Sequence, residues 1–188
     1  GGVTGSFASG AASGGSSDPA VTDDSGWQTT TYAAQGVGDK TRGVQFLIST
    51  VGYEGLSFSY DLRHSNTSAR HEQVQYTLDG SSWIDVAIFE GALGDTWFNQ
   101  RTVDLGSVAG ATDNASFGMR IVAAFAPTTS GYLASNSANT YSTAGTWRFD
   151  MVTLSGTPIA AIPEPGSYAL MLAGLATLGL LVRRRNTG

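Results

Sequence analysis

Few side chains in this sequence have types and spacings that could do chemistry. The two histidines, His64 and His71, stand seven residues apart, so they lack the i, i+4 spacing that sets two imidazoles on one helical face around a metal. Placed around a hairpin loop, they read as ordinary solvated side chains. Asp18, Asp23 and Asp24 lie together in a Ser/Gly-rich stretch, and calcium prefers such oxygens; the spacing is not that of an EF-hand, and a solvated loop is the alternative. Asp79 and Gly80, within "YTLDGSSWIDV", supply a hairpin turn with Trp83 capping the strand that follows. A hydrolase would need a positioned nucleophile and base, or paired carboxylates, in a cleft. No P-loop, nucleophile elbow or dinucleotide fingerprint is present. The expectation is a protein that is not an enzyme, with no catalytic residues, no metal ligands and no cofactor, calcium being the one candidate ion.

Strand parity says more. With Leu56, Phe58, Tyr60 and Leu62 facing a core, Asp61 and Arg63 point outward, and with Val74, Tyr76 and Leu78 inward so do Gln73 and Gln75. Arg120 sits between inward Met119 and Ile121; Arg148 and Asp150 sit among inward Trp147, Phe149 and Met151. If these strands share a sheet, Asp61, Arg63, Gln73, Gln75, Arg120, Arg148 and Asp150 form one polar candidate ligand face. Planar, multidentate groups of this kind suit sugar hydroxyls or uronate carboxylates, with Tyr132 or Trp97 as stacking platforms. The alternative is the solvated side of a sandwich, with Asp61/Arg63 and Arg148/Asp150 as ion pairs of little worth.

The elements that must carry these groups are short alternating runs: Val44, Phe46 and Ile48; the two runs above; then residues 84–89, 101–105, 117–125 and 146–154. Roughly eight strands, with no amphipathic helix before residue 160, predict an all-β fold, an antiparallel β-sandwich of jelly-roll type. Residues 1–26 read as a Gly/Ser-rich arm with an edge strand near residues 3–7, residues 27–157 as the sandwich, 158–162 as a linker and 163–188 as a tail. Two segments are long for connections, 91–100 and 127–145, and the second carries Tyr132, Asn136, Asn139 and Tyr141, facing a ligand or pinning a surface loop. A chain of 188 residues with net charge −5 holds one domain plus this tail and lacks the basic surface a nucleic-acid binder needs. Without cysteine, stability must come from packing alone.

The tail reads "IPEPGSYALMLAGLATLGLLVRRRN". Residues 166–182 hold no charge, and as a helix they span about 25 Å, near the thickness of a bilayer core. A single transmembrane helix follows, stopped by Arg183, Arg184 and Arg185, whose charges keep the C-terminus cytoplasmic and put the β-domain across the membrane. Pro163 and Pro165 hold the preceding segment extended and keep Glu164 accessible.

Pro163, Glu164 and Pro165, the apolar run and the arginine cluster together resemble the PEP-CTERM sorting signal. The resemblance implies an exosortase as processing partner, cleavage near the proline-glutamate-proline motif, and an inner-membrane stage that is transient. It implies a surface or extracellular location in a Gram-negative bacterium that makes exopolysaccharide. The body, "GVQFLISTVGYEGLSFSYDLRHSNTSARHEQVQYTLDGSSWIDV" with "TWRFDMVTLSGTP", is similar to jelly-roll domains of PEP-CTERM proteins and, distantly, to carbohydrate-binding modules. The expected role is structural or carbohydrate-binding, with exopolysaccharide as the second partner. The alternatives are an accessory domain of an exported hydrolase whose catalytic part lies upstream, or a membrane-anchored adhesin.

Overall fold

A computed structural model describes residues 2–6, 15–19, 25–160, 166 and 170–175. The chain divides into two units, Gly1–Pro158 and Ile159–Gly188. The described residues of the first unit form nine strands: β1 (Gly2–Ser6), β2 (Ser25–Thr29), β3 (Gly43–Leu47), β4 (Tyr53–His64), β5 (His71–Thr77), β6 (Ile84–Glu90), β7 (Thr96–Asp104), β8 (Gly118–Ala124) and β9 (Trp147–Pro158). They make two antiparallel sheets, a five-stranded one in the order β1-β2-β9-β4-β7 and a four-stranded one in the order β3-β8-β5-β6. The all-β sandwich expected from the alternation is therefore present. The first 26 residues contribute β1 as an edge strand and, in Ser25 and Gly26, the start of β2.

The core lies where the alternation puts it. Leu56, Phe58, Tyr60 and Leu62 of β4 are buried, facing Val74 of β5 and Met119 and Ile121 of β8, with Trp147 and Phe149 of β9 alongside. Each such large side chain contributes about 1.5–3 kcal/mol through removal from water. In β9 the alternation breaks at Met151, expected inward but exposed, with φ of 50°. Opposite β4 the register skips there, Ser59 pairing with Thr153 but Asp61 with Asp150. One extra residue on β9 shifts the inward set to Val152 and Leu154, as a β-bulge does.

Strands β4 and β5 do not form a hairpin; they lie in different sheets, and residues 65–70 are an arch across the sandwich. Period-two patterning cannot separate the two cases, because both leave one apolar face inward. What makes the arch is a clamp at its corner. The Ala69 carbonyl accepts from Trp147 Nε1 at 3.0 Å and from His64 Nδ1 at 2.9 Å, with Ser68 and Ala69 both buried.

His64 is thus no solvated side chain: it is fully buried, and His71 is nearly so. His64 Nε2 lies 3.4 Å from Oε1 of Glu72, an equally buried carboxylate projecting from β5 into the core. Glu72 Oε2 accepts from the Tyr60 hydroxyl at 2.7 Å, and Arg101 Nε on β7 stands 2.7 Å from Oε1 as an ion pair. The Arg101 guanidinium is held 4.8 Å from the ring centroids of both Phe89 and Phe98, and it donates to the Glu90 carbonyl at 2.7 Å. Burial first, and the Glu72 carboxylate second, push the Tyr60 phenol well above its ordinary pKa.

In the second unit, residue 166 and residues 170–175 are helical, and Leu170, Met171, Leu172 and Leu175 are exposed. Among the described residues no helix is long and apolar enough to cross a membrane. The predicted transmembrane segment extends over residues outside that set.

Two predictions follow from the core. Arg101→Met strands the Glu72 charge and destabilises by about 3–5 kcal/mol in urea unfolding, whereas Arg101→Met with Glu72→Gln recovers part of the loss. Burial also raises Tyr132 and Tyr141 to about 12 from an ordinary 10.0. A raised phenol pKa means the folded state holds its proton more tightly, so this stability is complete below pH 10 and is lost as pH climbs to about 12. Melting curves stay level to about pH 9.5 and then fall, while phenolate absorbance at 295 nm in native protein lags behind that of unfolded protein.

Candidate functional site

The seven residues of the candidate ligand face do not share one surface. Asp61, Arg63, Arg148 and Asp150 lie on the five-stranded sheet, and Gln73, Gln75 and Arg120 on the four-stranded one. The arch is the reason, since the outer faces of the two sheets of a sandwich point in opposite directions.

On the four-stranded sheet, Gln45, Arg120, Gln75 and Asp85 stand directly opposite one another across β3, β8, β5 and β6. Three of them are linked in series, and Lys40 joins the end. Arg120 Nε donates to Gln75 Oε1 at 2.5 Å, Gln75 Nε2 donates to Asp85 Oδ1 at 2.5 Å, and the Lys40 ammonium pairs with Asp85 Oδ2. Partial burial opposes ionisation of Asp85, but hydrogen bonds from Lys40 and Gln75 outweigh it and hold the carboxyl below its ordinary pKa. The Trp83 ring lies under Arg120, 4.5 Å from Cζ to centroid, and a cleft of about 70 Å³ opens beside Arg120, Gln45 and Thr41. Gln73, expected on this face, is buried and spends its amide on the Ala87 and Val74 carbonyls.

On the five-stranded sheet a second row runs Gln28, Arg148, Arg63, Trp97 across β2, β9, β4 and β7. Arg148 Nε donates to Gln28 Oε1 at 2.8 Å, and Arg63 Nη2 lies 3.3 Å from Asp95 Oδ1. Desolvation first, then the neighbouring Arg63 charge, lowers the Arg148 pKa against the pull of Asp95. Two residues along the same face, Asp61 and Asp150 stand opposite each other. They are not turned to the arginines as the ion pairs Asp61/Arg63 and Arg148/Asp150 would require. Asp61 Oδ1 accepts from the Gln100 amide at 2.7 Å and Oδ2 from the Ser17 amide, while Asp150 accepts from the Ser16 hydroxyl at 2.5 Å and the Met151 amide at 2.8 Å. Residues 15–18 therefore cross this face as a strap, and Asp61 and Ser16 are buried beneath the contact.

The strap and the bulges explain each other. Gln100 has φ of 56°, and the register of β4 with β7 skips between Tyr60 and Leu62, so β4 is flanked by an extra residue on both sides at Asp61. Its carboxylate supplies acceptors that the interrupted ladder removes.

The stacking platforms separate as well. Tyr132 is buried, stacked on Tyr141 at 4.6 Å and donating from its hydroxyl to the Gly38 carbonyl at 2.8 Å, so it pins the 127–145 loop and offers no open ring face. Tyr141 does the same through the Ala33 carbonyl at 2.7 Å. Trp97 remains in the arginine row. Asp79 keeps its turn role: Oδ1 accepts from the Ser82 and Ser81 amides at 2.6 and 2.8 Å, which holds its carboxyl far below the ordinary pKa. Of the calcium candidates, Asp18 donates its amide to Ser16 Oγ at 3.4 Å, and Asp23 and Asp24 lie outside the described residues. Pro163, Glu164, Pro165, Arg183, Arg184 and Arg185 also lie outside them.

Among the partners that escaped the sequence reading are Trp83, Asp85, Lys40 and Gln28. Trp83 and Asp85 were within reach, since they flank Ile84 at the alternation of β6; Lys40 and Gln28 come from distant segments with no local signal.

Residues 161–185 match the PEP-CTERM protein-sorting motif. The molecule is thus a β-sandwich protein that carries a C-terminal sorting signal. No curated protein matches the chain.

Replacing Asp61 with alanine leaves the Gln100 and Ser17 amides without their acceptor. The expected cost is about 1–3 kcal/mol, read by urea unfolding, with hydrogen exchange accelerating at Gln100 and Ser17 before the core strands.

Proposed function

We propose that this chain is an exported protein, sorted by an exosortase to the cell surface or extracellular space, whose non-enzymatic β-sandwich has a structural or carbohydrate-binding role in an exopolysaccharide matrix. The observation that carries the reading is the PEP-CTERM match at residues 161–185. The apolar, exposed side chains of residues 170–175 suit a lipid surrounding, and the three arginines that follow suit a cytoplasmic stop. Before processing, the helix holds the domain at the inner membrane on its outer side.

The jelly-roll reading is supported by the strand orders β2-β9-β4-β7 and β3-β8-β5-β6, in which successive strands pass back and forth between sheets. The non-enzymatic reading is supported by the place of the acid, base and guanidinium that meet in this fold. Glu72 and His64 are fully buried inside the sandwich, beyond the reach of a substrate. A carbohydrate-binding role is supported by two outer-face rows that combine guanidinium, amide and indole groups.

The sorting step is tested in cells with and without an exosortase. The parent chain loses its C-terminal segment and leaves the membrane fraction only where the enzyme is present; Glu164→Ala stays full-length and membrane-bound in both. Equal release of the two forms would end the sorting reading.

A further inference from the structure

On the side where β2 faces β3 across the sandwich there is a cavity of about 220 Å³, lined by Trp27, residues 29–32, Arg42 and Gly43. Trp27 meets Phe46 of β3 in a T-shaped contact with ring centroids 6.4 Å apart, yet it is 40% exposed, so part of the indole is bare. Arg42 is exposed as well. Lys40, Arg63, Arg70 and Arg101 each stand against a carboxylate, whereas among the described residues the Arg42 guanidinium has no carboxylate, acceptor or ring against it. In a chain of net charge −5, a cation without an acid beside it is a local attractor for a negative ligand. Thr31, on the same wall, has φ of 67°. A β-branched residue rarely takes that conformation, and such outliers gather at ligand sites. The hydroxyls beside it are engaged: Thr29 Oγ1 is bonded to the Tyr32 hydroxyl, and Thr30 Oγ1 donates to the Ala144 carbonyl at 3.3 Å. The Thr31 hydroxyl has no such partner among the described residues, and the Tyr32 amide, donating to the Thr143 carbonyl at 2.9 Å, holds the segment in place.

We propose that this cavity is a subsite for one uronic acid unit of an acidic polysaccharide, with the Arg42 guanidinium receiving the carboxylate, the bare part of the Trp27 indole lying against the sugar ring and the Thr31 hydroxyl bonded to a sugar hydroxyl. The inference rests on the carbohydrate-binding reading above and gives it a chemical class and a site apart from the outer-face rows. Size sets the unit. Pockets for drug-sized ligands run from about 300 to 1,000 Å³, so this smaller cavity holds a single ring, and the neighbouring units of the polymer pass into solvent. A planar guanidinium presents parallel donors to the two oxygens of a carboxylate, and a tryptophan offers a rigid apolar surface with a polar edge, which suits a pyranose. Because the Thr31 backbone is held in its strained conformation before anything binds, that part of the wall needs no ordering on binding.

The test is NMR titration of the isotope-labelled full chain, in a nonionic detergent without a sugar headgroup, with an alginate trisaccharide, its carboxyl-reduced form and isomaltotriose. The alginate trisaccharide shifts the Trp27 indole N–H, the Arg42 Nε–H and the Thr31 amide first, and binds at least several-fold more tightly than the other two. Arg42→Gln weakens that binding by at least about tenfold, the loss of a charge-assisted contact, and leaves the melting temperature where it was. Arg70→Gln, which removes the same charge from the arch, leaves binding unchanged. Thr31→Gly melts no lower than the parent, because glycine takes φ of 67° without strain, yet binds more weakly; a threonine of structural use alone would leave binding as it was. Trp27→Leu keeps an apolar contact with Phe46 and also weakens binding; should it fail to fold, Arg42→Gln and Thr31→Gly decide. Equal affinity for the alginate trisaccharide and its reduced form, undiminished binding by Arg42→Gln and Thr31→Gly, or shifts confined to residues away from the cavity overturns the uronate subsite while carbohydrate binding stands. No shift with any of the three sugars overturns both.

Discussion

A carboxylate inside a β-sandwich must be met by partners or the sheets cannot close over it, and Glu72 is that carboxylate. Its oxygens are taken by Tyr60 from one side and by Arg101 and His64 from the other, all three on the five-stranded sheet, while Glu72 itself belongs to the four-stranded one. An uncompensated buried charge is among the most destabilising features a core can have, so the relative placement of β4, β5 and β7 is fixed by this contact as much as by apolar packing. The surrounding chain conforms. Gly91 passes so close to the His64 ring that a Cβ there would lie 2.4 Å from Nε2, and Ser135 Oγ donates to the Gly91 carbonyl at 2.6 Å, tying the loop before β9 to the same spot.

Outside the core, the organising feature is the line of bulges through Asp61. Extra residues on β7 and β9 leave amides that the ladder does not satisfy, and an outward carboxylate at the centre of the sheet collects one of them along with the strap. The same arrangement commits two acids and sets two arginines and a tryptophan in register one row away. Backbone irregularity and surface chemistry are here one phenomenon: the bulges and the strap decide where the Asp61 and Asp150 carboxylates are spent.

Legibility followed how much each feature depends on local pattern. The inward set of β4 was readable because Leu56, Phe58, Tyr60 and Leu62 alternate without interruption. β2 was not, since Ser25–Thr29 is short and polar and gains its strand from pairing with β9. The arch at residues 65–70 hid behind a pattern identical to a hairpin's, and that one ambiguity scattered the candidate face over two sheets. Glu72 shares parity with Val74, so its inward direction was available in the sequence, although the pattern was not followed to it and carboxylates are rarely buried. His64 shares parity with Leu62, and it was misplaced because residues 65–70 read as a hairpin loop. The sorting signal was legible throughout because residue types in a given order define it, with no need of long-range geometry.

β9 lies between β2 and β4 in the five-stranded sheet although it is the last strand among the described residues. Until residues 147–158 are available, β1 and β2 on one side and β4 and β7 on the other have no strand to join them. Trp147, the largest of the fully buried side chains, arrives with that strand. Closure is therefore a long-range event in which β9 meets β2, more than a hundred residues earlier, and contacts of that separation are slow to form. For an exported polypeptide the consequence is a delay built into the topology: the five-stranded sheet stays open until residues 147–158 arrive.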